Sequence, residues 1–278
     1  MAIDLRLDIF PEKQNFEAKG NYILVNKSDE KIDTLLIKTG FDEITKYTLD
    51  IDYKVIKKDD FFNFKVVKLT KPFLPKDSIK LFFSITNKEN TLFERNSNIL
   101  NNGTFLKQDF LPRFGYFLNN KIMNPRDSLA NRNQLGSLDS DFIDFSTTIS
   151  TSKNQVAIAP GELVKKWKSQ DRSFYQYKTN QKIKFALAFI SGEFKVKKEQ
   201  YKNVDFEIYH HKNHYQNISK MIKGLKASYD YNTKYFGNYK HKSLKVVEFP
   251  ISEGVFATIM GNIIPTSERR FMANANAK

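Results

Sequence analysis

Between residues 204 and 268 the hydrophobic period switches from two to about 3.6 and back again, which restricts the fold more than any other feature of the chain. Val204, Phe206 and Ile208 alternate with Asp205, Glu207 and Tyr209, the pattern of a half-buried strand. From Ile218 the apolar positions Met221, Ile222, Leu225, Tyr229, Tyr235 and Phe236 follow at three-and-four spacing, interrupted by Asn232. That spacing predicts one long helix, capped by Asn217 or Ser219 and closed by a left-handed Gly237. A second strand over 244–249 runs into Pro250, and a third is expected over 263–268. Strand, helix, strand and edge strand make a mixed α/β layer.

The rest of the chain alternates with period two. Ile3, Leu5, Leu7 and Ile9 face one way and Asp4, Arg6 and Asp8 the other, and Pro11 ends the strand. Strands follow over 16–25 and 32–37, then a hairpin from Ile51, Tyr53 and Val55 through a turn at 57–60 to Phe62, Phe64 and Val66, then Ile79 to Ile85. One buried face per strand implies antiparallel sandwich sheets and excludes a parallel doubly wound sheet. Residues 87–141 are asparagine-rich; within them 103–116 carries an aromatic set, and 119–141 reads as a long surface loop. Strands resume over 142–150, 156–159, 163–167, 174–177 and 186–190, with Trp167 expected between the sheets.

Composition narrows the function classes. A formal charge of +14 would suit phosphate, but lysine supplies most of it and is spread over nearly every strand, without the arginine forks or local clusters of a base reader. A solvated lysine-rich surface, with no nucleic-acid partner, is the expectation. There is no cysteine, and no apolar run approaches the roughly 20 residues of a membrane helix. No glycine-rich phosphate loop or serine-nucleophile motif is present.

Four pieces of wording carry a family resemblance. They are Asp205-Phe-Glu-Ile-Tyr-His-His, Tyr229-Asp-Tyr-Asn-Thr-Lys-Tyr-Phe-Gly-Asn-Tyr, Leu244-Lys-Val-Val-Glu-Phe-Pro and Ile264-Pro-Thr-Ser-Glu. In this order they resemble the opening of the catalytic domain in the aminopeptidase N (gluzincin) family of zinc metallopeptidases. The segment Phe16-Glu-Ala-Lys-Gly-Asn-Tyr-Ile-Leu-Val-Asn-Lys resembles an early strand of that family's amino-terminal sandwich. Ile264-Pro-Thr-Ser-Glu is similar to the bacterial branch in which a peptidase-like region is attached to a membrane transporter permease. The resemblance implies a mainly β chain: an antiparallel, saddle-like β-sandwich over 1–193, then over 194–278 the α/β leading edge of a thermolysin-like catalytic domain.

For function, the resemblance implies peptide as substrate, zinc in a complete parent protein, a permease segment as partner, and a soluble piece of a membrane-associated bacterial protein. Two departures bear on this. The family's Gly-x-Met-Glu-Asn loop, whose glutamate holds a peptide amino terminus, has no glutamate in the corresponding Phe256-Ala-Thr-Ile-Met-Gly-Asn, and no histidine of the chain is followed by glutamate, as His-Glu-x-x-His requires. The zinc motif is expected some tens of residues beyond Glu268, so this chain is read as holding no catalytic residue, no cofactor and no metal of its own. The substrate-cleft candidates are Glu253, Met260, Gly261, Asn262 and Glu268. For Glu253 and Glu268, and for Glu248, an ordinary strand-end salt bridge is the competing reading. His210, His211 and His214 make the one metal-like cluster, since two histidines four apart could share a helical face and imidazole is a common zinc ligand, but no carboxylate lies beside them in sequence and they are read as exposed loop histidines.

Two functions remain: a zinc-peptidase-like fragment, or a non-catalytic binding module of a permease assembly. The helix over 218–236 has more apolar face than three strands can cover, so the carboxy-terminal part is expected to be the less stable portion of the chain and to expose Tyr229, Tyr235 or Phe249, associate with itself, or fray from Phe249 onward.

Overall fold

Isoleucine and leucine on one side of each strand and charge on the other leave the amino-terminal strands no stable arrangement but stacked sheets. The computed structural model describes residues 1–87, 98–115 and 142–273. In chain order the strands are β1 (Ala2–Phe10), β2 (Asn15–Val25), β3 (Ile32–Lys38), β4 (Glu43–Leu49), β5 (Tyr53–Asp59), β6 (Phe64–Phe73), β7 (Ser78–Asn87), β8 (Ile99–Leu100), β9 (Gly103–Lys107) and β10 (Arg113–Phe114). They continue as β11 (Phe142–Ser152), β12 (Val156–Ile158), β13 (Glu162–Ser169), β14 (Arg172–Lys178), β15 (Ile183–Lys184), β16 (Ala188–Gly192), β17 (Phe194–Tyr201) and β18 (Val204–His211). Helix α1 (Ile218–Phe236), β19 (Ser243–Phe249), β20 (Ile263–Ser267) and a five-residue helix Glu268–Met272 complete the order.

Among the described residues the strands form four sheets. The largest runs β13-β14-β11-β1-β2-β7-β4, with β15 also on β11; two four-stranded sheets, β10-β3-β6-β5 and β12-β16-β9-β8, accompany it. Pairing in these three is antiparallel except for β1 on β11, where Leu5 lies opposite Thr147 in a parallel register. The inward residues Ile3, Leu5, Leu7 and Ile9 share a buried core with Ile37 and Val67 of the second sheet and with Ile99, Leu106 and Phe189 of the third. This is the expected mainly β sandwich.

The fourth sheet, β17-β18-β19-β20, is the mixed layer: β17 is antiparallel to β18, while β18, β19 and β20 run parallel. Both of its faces are buried. Tyr209, Val247, Phe249 and Ile263 pack on Phe105, Ile158, Ala188 and Ile190 of the third sheet, whereas Phe206, Ile208 and Val246 pack on Ile218 and Ile222 of α1 and on Phe271. Alternate residues of one strand therefore belong to two cores.

Several expectations need correction. The turn of the β5–β6 hairpin lies at 60–63 and not at 57–60; Asp59 Oδ1 holds it by accepting the N–H groups of Phe61 at 3.0 Å and Phe62 at 2.9 Å. Strand β4 escaped the alternation because its inward set, Glu43, Thr45, Tyr47 and Leu49, is half polar. Strand β17 escaped because it is an edge strand with exposed lysines at 195, 197 and 198. Trp167 is not between sheets: it lies half-buried on edge strand β13, stacked on Phe174 at 5.1 Å with Lys165 over its ring. Asn217 precedes α1 but does not cap it by side chain. Its Nδ2 donates to the carbonyls of Phe271 (3.0 Å) and Ala273 (2.7 Å), tying down the last helix. Gly237 does have positive φ, 95°, but with ψ 178°, outside the left-handed helical well. Phe249 is fully buried against Phe105 and Phe256, while Tyr235 and Phe236 are exposed. The expected loop at 119–141, and Tyr116, lie outside the described residues. Among the described residues no helix is long and apolar enough to cross a membrane.

Candidate functional site at the ends of the parallel strands

Two polar clusters occupy opposite ends of the parallel strands. In an open α/β sheet, ligands collect beyond the carboxyl ends of such strands, while the other end is free to serve stability.

At the amino ends the cluster joins the fourth sheet to the sandwich. Asn262, with no exposed surface, accepts the Gly161 N–H on Oδ1 at 2.7 Å; its Nδ2 donates to Gly161 O at 3.1 Å and to Ser243 Oγ at 3.1 Å. Ser243 Oγ donates to Glu162 Oε2 at 2.7 Å, and Lys245 Nζ donates to Gly161 O at 2.5 Å and stands over the Tyr177 ring. Glu207, also buried, accepts from Tyr209 at 2.6 Å and pairs with Lys198. Lys245 is 2% exposed, contrary to the reading of lysine as uniformly solvated. Burial lowers its pKa to about 8 against the opposing pull of Glu162 and Glu207.

At the carboxyl ends stand His211, His214 and Glu248. Glu248 on β19 is completely buried, and its two oxygens are separately engaged. Oε2 accepts the His211 N–H at 2.7 Å, while Oε1 accepts from His214 Nδ1 and lies 3.2 Å from His211 Nδ1. The His211 ring nitrogen is close enough for charge attraction but is not aligned as a donor. His211 Nε2 donates to the Asn102 carbonyl at 3.1 Å, and the ring packs on Phe194 at 5.1 Å. Burial pushes His211 down, but the Glu248 carboxylate, the Asn102 carbonyl and the more distant Glu268 outweigh it and hold its pKa above 6.5. Burial pushes Glu248 up, yet the histidines and the His211 N–H keep it below 4.5.

The histidines are therefore not an exposed loop. His210 is buried, His211 and His214 are half-buried, and the carboxylate missing from the local sequence arrives from a strand 34 to 37 residues later. The signal lies in strand order: parallel pairing of Tyr209 with Val247 brings position 248 alongside the end of β18.

The cleft candidates separate into three places. Glu253 lines a cavity of about 400 Å³ with Gly40, Glu43, Leu106 and Lys107, where burial raises its pKa against the pull of Lys107. Met260, Gly261 and Asn262 face the sandwich at the junction; Gly261 has φ 62°, and a Cβ there would meet Pro160 at 3.1 Å. Glu268 opens the last helix, and its Oε1 accepts the Ile251 N–H at 2.8 Å.

No protein-family model matches the sequence, and no curated protein matches it. Solved structures do. The crystal structure of an M1 zinc metallopeptidase from Deinococcus radiodurans aligns with a TM-score of 0.66 over 96% of this chain and 59% of that one, at 11% identity. The fold is that of the M1 zinc metallopeptidases. A two-domain M1 mutant bound to L-tryptophan gives TM-score 0.65 at 12% identity, over 96% of this chain and 60% of that one. A third M1 structure, a Deinococcus radiodurans mutant bound to a Tyr-Ser-Ala substrate, gives 0.63 at 12% identity, over 95% and 59%. The chain thus spans about 60% of the length of the M1 structures it matches. At such identities the M1 likeness concerns the fold.

Proposed function

We propose that this chain is the sandwich and the opening sheet of a zinc-peptidase-like protein, divided at 193/194. It supplies one wall of a peptide-binding cleft, along the carboxyl ends of β18, β19 and β20, where Glu268 stands. The observation that carries this reading is the alignment of 96% of the chain, sandwich and fourth sheet together, with M1 metallopeptidases. The chemistry would come from a His-Glu-x-x-His zinc motif, which these residues lack, since no histidine here is followed by glutamate. Within the chain the role is positional: two buried cores and the Asn262 junction hold the strand ends fixed, the support a peptide-binding edge needs.

The test uses the complete product of the parent gene. Release of amino-terminal residues from a peptide panel, abolished by chelator and restored by zinc, is expected; a complete, folded, zinc-loaded protein that leaves every peptide intact would sink the peptidase reading. The segment Phe256-Ala-Thr-Ile-Met-Gly-Asn offers no glutamate to hold a peptide amino terminus, which favours a second outcome, a non-catalytic binding module. Peptide binding without turnover would distinguish that case.

A further inference from the structure

His211, His214 and Glu248 present three donors of the kind that bind zinc, and their potential ligand atoms all lie within 4.8 Å of one another. The proton arrangement at His211 is the informative part. A carbonyl can only accept, so the contact from His211 Nε2 to Asn102 O places a proton on Nε2. In the neutral ring Nδ1 then carries a lone pair, and it faces Glu248 Oε1 at 3.2 Å without a hydrogen bond. With the His214 Nδ1–H already donated to Oε1, the remaining contact between two lone pairs in this half-buried site is relieved by positive charge between them.

We propose that this charge is a divalent transition-metal ion of the zinc class, bound by His211 Nδ1, His214 Nδ1 and Glu248, with the proton that His214 Nδ1 shares with Glu248 moving to its Nε2 or to solvent as the ion enters. Three features of the site suit an ion. The Nε2–H to carbonyl contact is the outer support that metal-ligating histidines commonly have, because it fixes the tautomer and aims the other nitrogen. Glu248 is held on its second oxygen by the His211 N–H, so Oε1 is oriented before any ion arrives. A tetrahedral ion with bonds of about 2.0–2.2 Å needs donors about 3.3 Å apart, which the His211–Glu248 separation already meets. His214 sits in the segment between β18 and α1 with its side chain 21% exposed, so it has room to back away from the carboxylate.

Two imidazoles and one carboxylate select zinc over magnesium or calcium, which prefer all-oxygen sites. Three protein ligands also leave a fourth position, on the partly exposed histidine side. This site is separate from the His-Glu-x-x-His motif and does not depend on the peptidase reading.

Titration of the metal-stripped chain with Zn(II) by calorimetry, near neutral pH, decides the matter. One equivalent should bind at about micromolar Kd or tighter, and His214→Gln and Glu248→Gln should each weaken binding by about tenfold or more. His241→Gln removes the chain's one histidine outside the 210–214 run and should leave binding unchanged. Circular dichroism of each variant shows whether it folds, and His214→Gln, on the exposed side, carries the test if Glu248→Gln does not. Absence of Zn(II) binding overturns the proposal, and so does binding that survives both site variants or that Mg(II) reproduces.

Discussion

Gly161 and Asn262, 101 residues apart, exchange hydrogen bonds through one buried amide: the glycine N–H donates to Asn262 Oδ1 at 2.7 Å, and Asn262 Nδ2 returns a bond to the glycine carbonyl at 3.1 Å. The pair fastens the mixed sheet to the sandwich. Asn262→Ala would leave the Gly161 N–H buried without that partner and remove one donor from Ser243 Oγ. A loss of about 2–4 kcal/mol is expected in denaturant unfolding, from unmet groups costing about 1–3 kcal/mol each. A change under about 0.5 kcal/mol would mean the junction is held by its apolar contacts alone.

Gly161→Ala attacks the same junction from the backbone. The residue has φ 101°, and a Cβ would stand 2.7 Å from the Lys178 carbonyl carbon, which is main chain and cannot swing aside. The variant should lose about 3 kcal/mol or more, combining strain and clash, read from the melting transition.

Lys245 gives the junction a pH signature. Its folded pKa of about 8 lies below the ordinary 10.5, so between those values the unfolded chain keeps a proton that the folded chain has released. Stability should therefore rise from pH 8 to pH 10, by roughly 2 kcal/mol. Above pH 10 the slope should reverse, because burial raises Tyr22, Tyr177 and Tyr209, which stay protonated in the folded chain after the unfolded chain has ionised. Lys245→Met should abolish the rise and leave the fall. A rise of the same size in that variant would assign it elsewhere.

Helix α1 should divide along its length. Ile222 is 5% exposed and packs on the mixed sheet, so Ile222→Ala should cost about 2–5 kcal/mol. Tyr235 and Phe236 are 59% and 77% exposed, and Tyr235→Lys should change stability by no more than about 0.5 kcal/mol. Equal losses would place the carboxyl end of the helix in a packed environment.

What the sequence disclosed follows from how each residue is used. Ile3, Leu5, Leu7 and Ile9 declare β1 because every inward position is apolar and two of the outward ones are exposed and charged. Strand β4 half-buries the polar Glu43 and Thr45 on its inner side and β17 exposes lysines at the sheet edge, so neither shows a clean period of two. Within the mixed layer, Val204, Ile218 and Val246 were legible as strand, helix and strand. The polar clusters were not. Lys245 looks like any surface lysine until Gly161, and Tyr177 of β14, cover it, and the meeting of Glu248 with His211 depends on a parallel register that local spacing cannot express. Met260, Gly261 and Asn262 were noticed for their likeness to a cleft loop, yet their side chains and backbone serve the junction.

Phe105 and Ile190 of the third sheet share one buried cluster with Val247 and Phe249 of the mixed sheet, so the mixed sheet and the sandwich should unfold as one cooperative body. Native-state hydrogen exchange of the chain tests it residue by residue. The amides of 243–249 and 263–267 should open with free energies within about 1 kcal/mol of those in β1 and β2, and Asn262→Ala should lower them selectively. If those amides instead exchange at the rates of fraying termini while β1 and β2 stay protected, the two parts are independent and the account is wrong.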